Sequence, residues 1–344
     1  MKAVNEIDVS DKRVFVRADL DVDVETRKPG GKERDIALES DVESLIRVMS
    51  LGPTIDYLLE QNCQIIVAGH RKRPTGPDPA LSTRMLVKAL SQVTNHDVEF
   101  QESLDQPASG KIILLENLRF NPGETANDID YARRLARLAD VYINEAFANC
   151  HRDHASMTTL PKLLPHGAGL NLQFEVKTLS KALENPKRPF VAIIGGAKIE
   201  TKIPVIVNLS KVADLVLVGG LLPAEISQNR LRFGNNVVIA SLDSGNRDIS
   251  RDSRERFADF IRSAKTVVWN GPMGQFEQGF TGGSLAVADA IVDSGAYSIA
   301  GGGETAKYLA ETHMVDGISF MSTGGGAMLE FLAGNQLPAL VALG

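Results

Sequence analysis

The chain has 344 residues, of which 43% are apolar and 23% charged, a balance typical of globular proteins and not of collagen-like, low-complexity or disordered ones. Its 37 Lys and Arg against 43 Asp and Glu give a net charge of −6, so the surface as a whole repels nucleic acid and anionic membranes. The apolar stretches fall short of the roughly 18 residues of a membrane helix, and the acidic start does not resemble a signal peptide. We therefore expect a soluble cytoplasmic protein, with about two domains for this length.

Short β-branched runs alternate with stretches of helical periodicity along the whole chain, which predicts an α/β fold built from two Rossmann-like parallel-sheet domains. In the first half, strands are predicted at residues 13–20, 64–68, 97–100, 111–115 and 140–143, and helices at 53–61, 83–92 and 128–138. In the second half, strands are predicted at residues 190–194, 215–218, 236–240, 266–268, 297–300 and 317–321.

A helix over residues 172–183, with no strand before it, separates the two series of strands and is interpreted as the interdomain connection. We place the first domain at residues 1–169, the interdomain helix at 170–185 and the second domain at 186–330. A C-terminal segment, residues 331–344, is expected to return towards the first domain. Cys63 and Cys150 lie far apart inside apolar segments, which predicts buried, reduced thiols.

In the second half, the chain repeatedly leaves a strand through glycine and enters a helix. Glycine lets the backbone approach a ligand closely, and the amino end of the following helix attracts an anion. A single such exit is about as often a plain tight turn as a ligand site, but four of them at strand ends predict a phosphate-rich ligand. No GxxxxGK[ST] or GxGxxG motif occurs, which excludes the P-loop and the common dinucleotide pattern. The four exits lie at residues 195–198, 219–220, 301–304 and 322–326.

The first half places mostly cationic residues at the equivalent strand ends. A guanidinium group pairs bidentately with carboxylate or phosphate oxygens, so several of them at one sheet edge predict a site for a small, multiply charged anion. A metal cluster of His70, His151 and His154 is not expected, because the neighbouring arginines would repel a cation. The set comprises Arg17, Asp19, His70, Arg73, Arg119, His151 and Arg152, with Arg47 close in sequence to a helix start.

At these residues the sequence resembles the phosphoglycerate kinase family, and the resemblance covers nearly the whole chain. In the first half it is carried by residues 17–21 (RADLD), 47–55, 69–74 (GHRKRP), 115–120 (LENLRF) and 144–156. In the second half it is carried by residues 195–202, 269–277 (WNGPMGQFE), 301–306 (GGGETA) and 322–327 (STGGGA). Each motif alone has little specificity, but chance does not produce the ordered set.

The resemblance implies a first domain that binds 3-phosphoglycerate, a second domain that binds Mg-nucleotide, and a cleft closed by a hinge near residues 170–183 and 324–327. The implied substrate residues are Arg17, Asp19, Asp21, Arg47, His70, Arg73, Arg119 and Arg152. The implied nucleotide residues are Gly196, Lys198, Lys202, Gly220, Asn270, Gly271, Pro272, Glu277, Gly302, Gly303, Glu304 and Thr305. Within that set, the resemblance places Glu277 at the ribose hydroxyls and Glu304 at the magnesium ion.

The implied reaction is phosphoryl transfer between 1,3-bisphosphoglycerate with ADP and 3-phosphoglycerate with ATP. A carboxylate acceptor is already ionised at neutral pH, so no general base is required. What the reaction requires is in-line positioning and neutralisation of charge on the transferred group. The catalytic candidates are Arg47, Lys198, Gly303 and Gly326, with Mg²⁺ as cofactor, ATP and ADP as substrates, and a monomeric enzyme.

The sequence also departs from the family pattern. The segment at residues 220–248 is several tens of residues shorter, which leaves the adenine contacts open, and residues 23–43 form a longer, charged segment expected as a surface excursion. Asp21 stands where the family has Asn, Glu304 stands where it has Asp, and residues 248–251 (DISR) replace Asp-Ile-Gly-Pro. The alternative hypothesis is therefore a nucleotide- or phospho-metabolite-binding member with impaired turnover. A nucleic-acid role for residues 71–73 is disfavoured by the net charge of −6.

Overall fold

The computed structural model describes residues 1–23, 42–105 and 109–344. Most of the excursion expected at residues 23–43 lies outside the described residues. The chain divides into two compact units. Unit 1 contains Met1–Val176 and Gln336–Gly344, and unit 2 contains Lys177–Asn335.

The strands and helices alternate along both units. The strands are β1 Arg13–Arg17, β2 Gln64–Ala68, β3 Val98–Gln101, β4 Ile112–Leu115, β5 Val141–Asn144, β6 His166–Ala168, β7 Phe190–Ile194, β8 Leu215–Val218, β9 Val237–Ile239, β10 Thr266–Asn270, β11 Tyr297–Gly301 and β12 Phe320–Ser322. The helices are α1 Val42–Met49, α2 Gly52–Glu60, α3 Val87–Thr94, α4 Pro122–Thr125, α5 Ile129–Ala136, α6 Leu170–Glu184, α7 Ile199–Val212, α8 Leu222–Gln228, α9 Arg251–Arg262, α10 Gly282–Ser294, α11 Gly303–Glu311, α12 Gly325–Leu332 and α13 Pro338–Ala342.

Unit 1 is built on a six-stranded sheet with the order β3-β4-β2-β1-β5-β6. All pairings are parallel, and Arg17 at the end of β1 pairs with Ala68 on one side and Asn144 on the other. Strands covered on both faces read as continuous apolar runs, and β4 is buried at every position. The carboxyl ends of β1, β2, β4 and β5 thereby present the residues that follow them at one edge of the sheet.

Unit 2 repeats the design with the order β12-β11-β10-β7-β8-β9. The chain runs outward from β7 through β8 to β9, then returns to the other side of β7 with β10 and runs outward again. Ligands of open parallel sheets bind beyond the carboxyl ends of the strands at such a reversal, here between β7 and β10. The core beneath it contains the buried rings of Trp269, Phe257 and Tyr308.

The predicted α/β class is correct, and most predicted strands lie within a few residues of the observed ones. The expectation that no strand precedes the connecting helix is wrong, because β6 pairs with β5 directly before α6. The strand predicted from residue 317 begins only at Phe320, since Val315–Gly317 form a 3-10 turn.

Cys63 and Cys150 are buried, free thiols. Among the described residues, no helix is both long and apolar enough to cross a membrane.

Candidate functional site

Two adjoining cavities, of about 270 and 230 Å³, lie at the carboxyl edge of the unit 2 sheet. They share Gly196, Ala197 and Glu304 as lining residues and so form one groove. The structure brings every predicted nucleotide residue of this unit, together with Gly326, into the lining of this groove. The larger cavity is lined by Gly196, Lys198, Lys202, Asn270, Gly271, Gly302, Gly303, Glu304, Thr305 and Gly326, and the smaller by Gly196, Gly220, Pro272, Glu277 and Glu304, among others.

The floor of the groove consists of glycine backbones in close contact. Gly196, Gly220 and Gly271 have φ angles of +91°, +65° and +93°, a region that side chains disfavour. A Cβ on Gly271 would lie 2.3 Å from the carbonyl oxygen of Gly195, and one on Gly220 would lie 2.6 Å from the Gly196 nitrogen. The exits from β7, β8 and β10 therefore pack backbone against backbone, which only glycine permits.

Three helices begin at the larger cavity. The residues preceding α7, α11 and α12 are Lys198, Gly302 and Gly324, and none of them caps its helix with a side-chain hydrogen bond within the described part of the chain. Uncapped amino ends keep free N–H groups and a positive partial charge, which together attract an anion.

Two lysines supply full positive charge to the same cavity. Lys198 is exposed at the start of α7, whereas Lys202, one turn later, is only 7% exposed. Burial lowers the pKa of Lys202 to about 8, although the nearby Glu304 carboxylate opposes that shift. The Lys202 ammonium donates to Oδ1 of Asn270. Glu304 lies at the amino end of α11 beside Gly196, where a Cβ added to Gly196 would be 3.9 Å from Glu304 Oε2. The Glu304 carboxylate and the two lysines therefore line the same cavity.

Glu277 lies in the smaller cavity, at the other end of the groove from the lysines. Its carboxylate is exposed and lies 3.1 Å from the Lys307 ammonium. Phe276 packs edge-on against the Tyr308 ring, with centroids 5.9 Å apart, and gives this end of the groove an apolar wall. Despite the short segment at residues 220–248, the described structure retains a lined cavity here.

In unit 1, the predicted substrate residues gather at the carboxyl edge of the sheet. Arg47 Nε lies 3.2 Å from Asp19 Oδ2, and its Nη1 donates to the backbone oxygen of Asp21 at 2.6 Å. Asn149 donates to the other Asp19 oxygen at 3.1 Å. The Asp21 carboxylate accepts the backbone N–H of Lys72 at 2.8 Å. Two acidic side chains thus hold Arg47 and the loop after β2 in place.

Positive charge is in excess in this cluster. Burial lowers the pKa of Arg119 to about 10, with repulsion from Arg152 as the next cause. Burial also lowers the pKa of Arg152, followed by repulsion from the exposed Arg73. Nε of Arg119 and Nε of Arg152 are buried without a hydrogen-bond partner in the described structure. An anion would satisfy these donors and relieve the mutual repulsion.

Arg17 and His70 lie beneath the other cations, and both are completely buried. Arg17 Nε donates to Ser156 Oγ at 2.8 Å, Nη1 donates to the backbone oxygen of Ala18, and Nη2 lies 3.0 Å from His70 Nδ1. Burial, followed by the charge of Arg17, holds the pKa of His70 well below its ordinary value. Arg17 was expected among the substrate residues, but all three nitrogens of its guanidinium group contact protein atoms.

Two residues of this cluster, Glu124 and Ser156, were not predicted from the sequence. Ser156 donates to Glu124 Oε1 at 2.6 Å from its hydroxyl and to Oε2 at 3.0 Å from its backbone N–H. Neither residue stands at a strand end. Ser156 is the last residue of the motif at 144–156 that carries the resemblance, but no role was assigned to it there.

A family model described as phosphoglycerate kinase matches residues 4–238 and 224–335. The two matches overlap inside the stretch that the sequence indicates is shortened. A phosphoglycerate kinase of Solibacter usitatus is 37% identical over 395 aligned positions, covering 99% of this chain and 98% of that protein. One of Desulfosudis oleivorans is 34% identical, covering 100% of this chain and 98% of that protein.

The structure of phosphoglycerate kinase from Coxiella burnetii matches with a TM-score of 0.82 at 30% identity, covering 99% of this chain and 98% of that one. The structure from Pyrococcus horikoshii matches with a TM-score of 0.81 at 27% identity, covering 100% and 98%. Family motifs, full-length relatives and the two parallel-sheet units agree, and the chain belongs to the phosphoglycerate kinase family.

Proposed function

We propose that the chain catalyses reversible phosphoryl transfer between 1,3-bisphosphoglycerate with ADP and 3-phosphoglycerate with ATP. The observation that carries this proposal is the groove of unit 2, where Lys198, Lys202 and three uncapped helix amino ends face one cavity. Such a combination suits the phosphates of a nucleotide. Glu277, at the far end of the groove, is proposed to accept the ribose hydroxyls.

The cationic cluster of unit 1 is the proposed site for 3-phosphoglycerate. Its buried arginine donors suit the two anionic ends of that molecule, and the forks of Arg47, Arg119 and Arg152 are the proposed direct ligands. The acceptor carboxylate is ionised at neutral pH, so the reaction needs no protein base. A buried His70 with a strongly lowered pKa fits a hydrogen-bonding role instead.

Catalysis is proposed to rest on fixed positive charge. Lys198 in unit 2 and Arg47 in unit 1 would neutralise charge on the transferred phosphoryl oxygens, as oxyanion donors do. The backbone N–H groups of Gly303 and Gly326, in the first turns of α11 and α12, would add partial positive charge without any side chain.

Magnesium is the proposed cofactor, and the donor set of the groove fits it. Mg²⁺ commonly takes one or two carboxylates and completes its shell with substrate phosphates and water. Glu304 offers one exposed carboxylate at the amino end of α11, in the cavity that also contains Lys198 and Lys202. When bound, the ion would neutralise phosphate charge.

The alternative of a binding module with impaired turnover is not favoured. Each lysine and arginine that the chemistry requires is present, and the smaller cavity persists despite the shortened segment. We further propose a monomer in the cytoplasm, where a reducing environment suits the free thiols of Cys63 and Cys150. The proposed domains remain residues 1–169 and 186–330, joined by the helix at 170–185, with residues 331–344 returning to the first.

A coupled assay of ATP consumption with 3-phosphoglycerate and Mg²⁺ tests the proposal. Saturable turnover is expected, and Lys198→Ala should reduce kcat by about 10²–10³, the effect of losing one oxyanion donor. Lys211→Ala is the matched control, because Lys211 is exposed at the other end of α7. Thermal stabilisation by both ligands without turnover would favour the binding module instead.

A further inference from the structure

A buried chain of hydrogen bonds runs from Glu124 to His70 beneath the cationic cluster of unit 1. Ser156 Oγ lies 2.6 Å from Glu124 Oε1 and 2.8 Å from Arg17 Nε. Arg17 Nη2 lies 3.0 Å from His70 Nδ1. All four side chains are completely buried, so water does not replace a partner that is lost.

The chemistry of arginine fixes the direction of every bond in this chain. A guanidinium group has donors and no acceptor. Arg17 therefore donates to Ser156 Oγ, whose own proton goes to Glu124, and it also donates to His70 Nδ1. A neutral imidazole that accepts at Nδ1 carries its proton on Nε2. A proton on Nδ1 would set two N–H donors against each other, so the network selects one tautomer.

The second nitrogen of His70 is the open end of the network. His70 Nε2 is buried without a hydrogen-bond partner in the described part of the chain. It lies 3.9 Å from Asp21 Oδ2, beyond hydrogen-bond distance. The charged or titratable groups that act on the ring are Arg17, Arg119, Arg152, His154 and Asp21.

We propose that Glu124 and Ser156 are positioning residues of the substrate site: acting through Arg17, they hold His70 as a neutral imidazole that presents Nε2–H, on the side of Asp21, to an oxygen of the acidic substrate. Through Ser156 Oγ, the Glu124 carboxylate also lies two hydrogen bonds from the buried charge of Arg17. The identity of the substrate rests on the function proposed above, whereas the tautomer of His70 does not.

The test combines nuclear magnetic resonance with steady-state kinetics on the full chain. Long-range ¹H–¹⁵N correlation of the protein with ¹⁵N-labelled histidine distinguishes the ring tautomers, and with six histidines in the chain, His70→Gln assigns the signal. At pH 7 the parent should show His70 with Nε2 protonated and Nδ1 bare. Ser156→Ala and Glu124→Gln should each mix the tautomers and raise the KM for 3-phosphoglycerate about tenfold or more, with kcat largely retained.

Ser156→Thr keeps the hydroxyl and should retain both the tautomer and the KM. Glu145→Gln is the matched control, because Glu145 is also buried in unit 1 but accepts hydrogen bonds from Thr54 and from the backbone of Asn171 and Leu172, and not from this network. A parent His70 that is protonated on Nδ1 overturns the proposal, as do variants that lose activity while the His70 tautomer stays unchanged. If the parent shows no turnover, the proposed function fails, and the tautomer measurement still decides the network.

Discussion

The affinity for ADP should fall as pH rises above 8, because Lys202 must be charged to bind phosphate. Lys202 is buried, and its pKa is lowered to about 8 from an ordinary 10.5. Between pH 7 and pH 9 its charged fraction in the free protein falls from about nine-tenths to about one-tenth. If only the charged form binds, the apparent Kd rises by about tenfold over that range.

Isothermal titration of Mg-free ADP into the protein, in two buffers of different ionisation enthalpy, measures both the Kd and the protons exchanged. At pH 8.5 binding should take up about three-quarters of a proton, because the phosphates are already ionised in this range whereas about three-quarters of Lys202 is uncharged. Lys202→Met should bind weakly with a flat pH profile, and the exposed Lys211→Met should keep the slope. Binding without proton uptake, or an unchanged slope in Lys202→Met, would refute the reasoning.

The same shift acts on the free energy of unfolding. Because the folded pKa of Lys202 lies below the unfolded one, the folded state carries a penalty below pH 8 that is relieved as pH rises from about 8 to 10.5. The relief amounts to about 3 kcal/mol at most, and Lys202→Met should remove it from urea-unfolding curves recorded across this range.

Three further predictions concern single substitutions. Gly271→Ala should lower the free energy of unfolding by about 3 kcal/mol, because its Cβ would lie 2.3 Å from the Gly195 oxygen. Gly279 is also at positive φ but has no described atom within 4 Å of the added Cβ, so Gly279→Ala should lower it by only about 1 kcal/mol. Equal losses of unfolding free energy in urea would contradict this. Glu145→Gln should raise the free energy of unfolding by about 2 kcal/mol at pH 8 and by less towards pH 5. Burial raises the pKa of Glu145 to about 7, so the cost of burying its charge is present above pH 7 and is relieved as pH falls towards 4.5. A difference in unfolding free energy between variant and parent that is constant with pH would contradict this. Asp21→Asn should lower the KM for 3-phosphoglycerate about fivefold by removing an anion beside the substrate, and an increase would show that Asp21 contributes favourably.

Much of the fold could be predicted because parallel strands buried on both faces are continuous apolar runs. Phe190–Ile194 and Leu215–Val218 occur at their predicted bounds for this reason. The strand His166–Ala168 could not be predicted, since it has three residues and none is β-branched. Its place in the sheet is set by pairing with β5 and not by its own composition.

The candidate site also has one part that could be predicted from local sequence patterns and another that could not. Glycine exits and cations at strand ends are local patterns, and the topology of a parallel sheet brings them together, so the glycine part of the groove could be predicted from them. The other lining residues, such as Lys202, Asn270 and Glu277, could be named in advance only through the resemblance to the family. The buried network could not be predicted, because Arg17 and Ser156 are 139 residues apart, and Ser156 and Glu124 are 32 apart. No sequence periodicity connects such partners, and only their three-dimensional placement shows that Arg17 lies beneath the site.

The assignment of Gln336–Gly344 to unit 1 has a consequence for biosynthesis. The backbone N–H of Ala339, in α13, donates to the oxygen of Cys150 at 3.1 Å. Domains otherwise tend to fold in the order in which they leave the ribosome. Here the unit that emerges first is completed last, after all of unit 2 has been translated. During that interval the nascent chain carries an unfinished unit 1, with the surface that receives α13 uncovered.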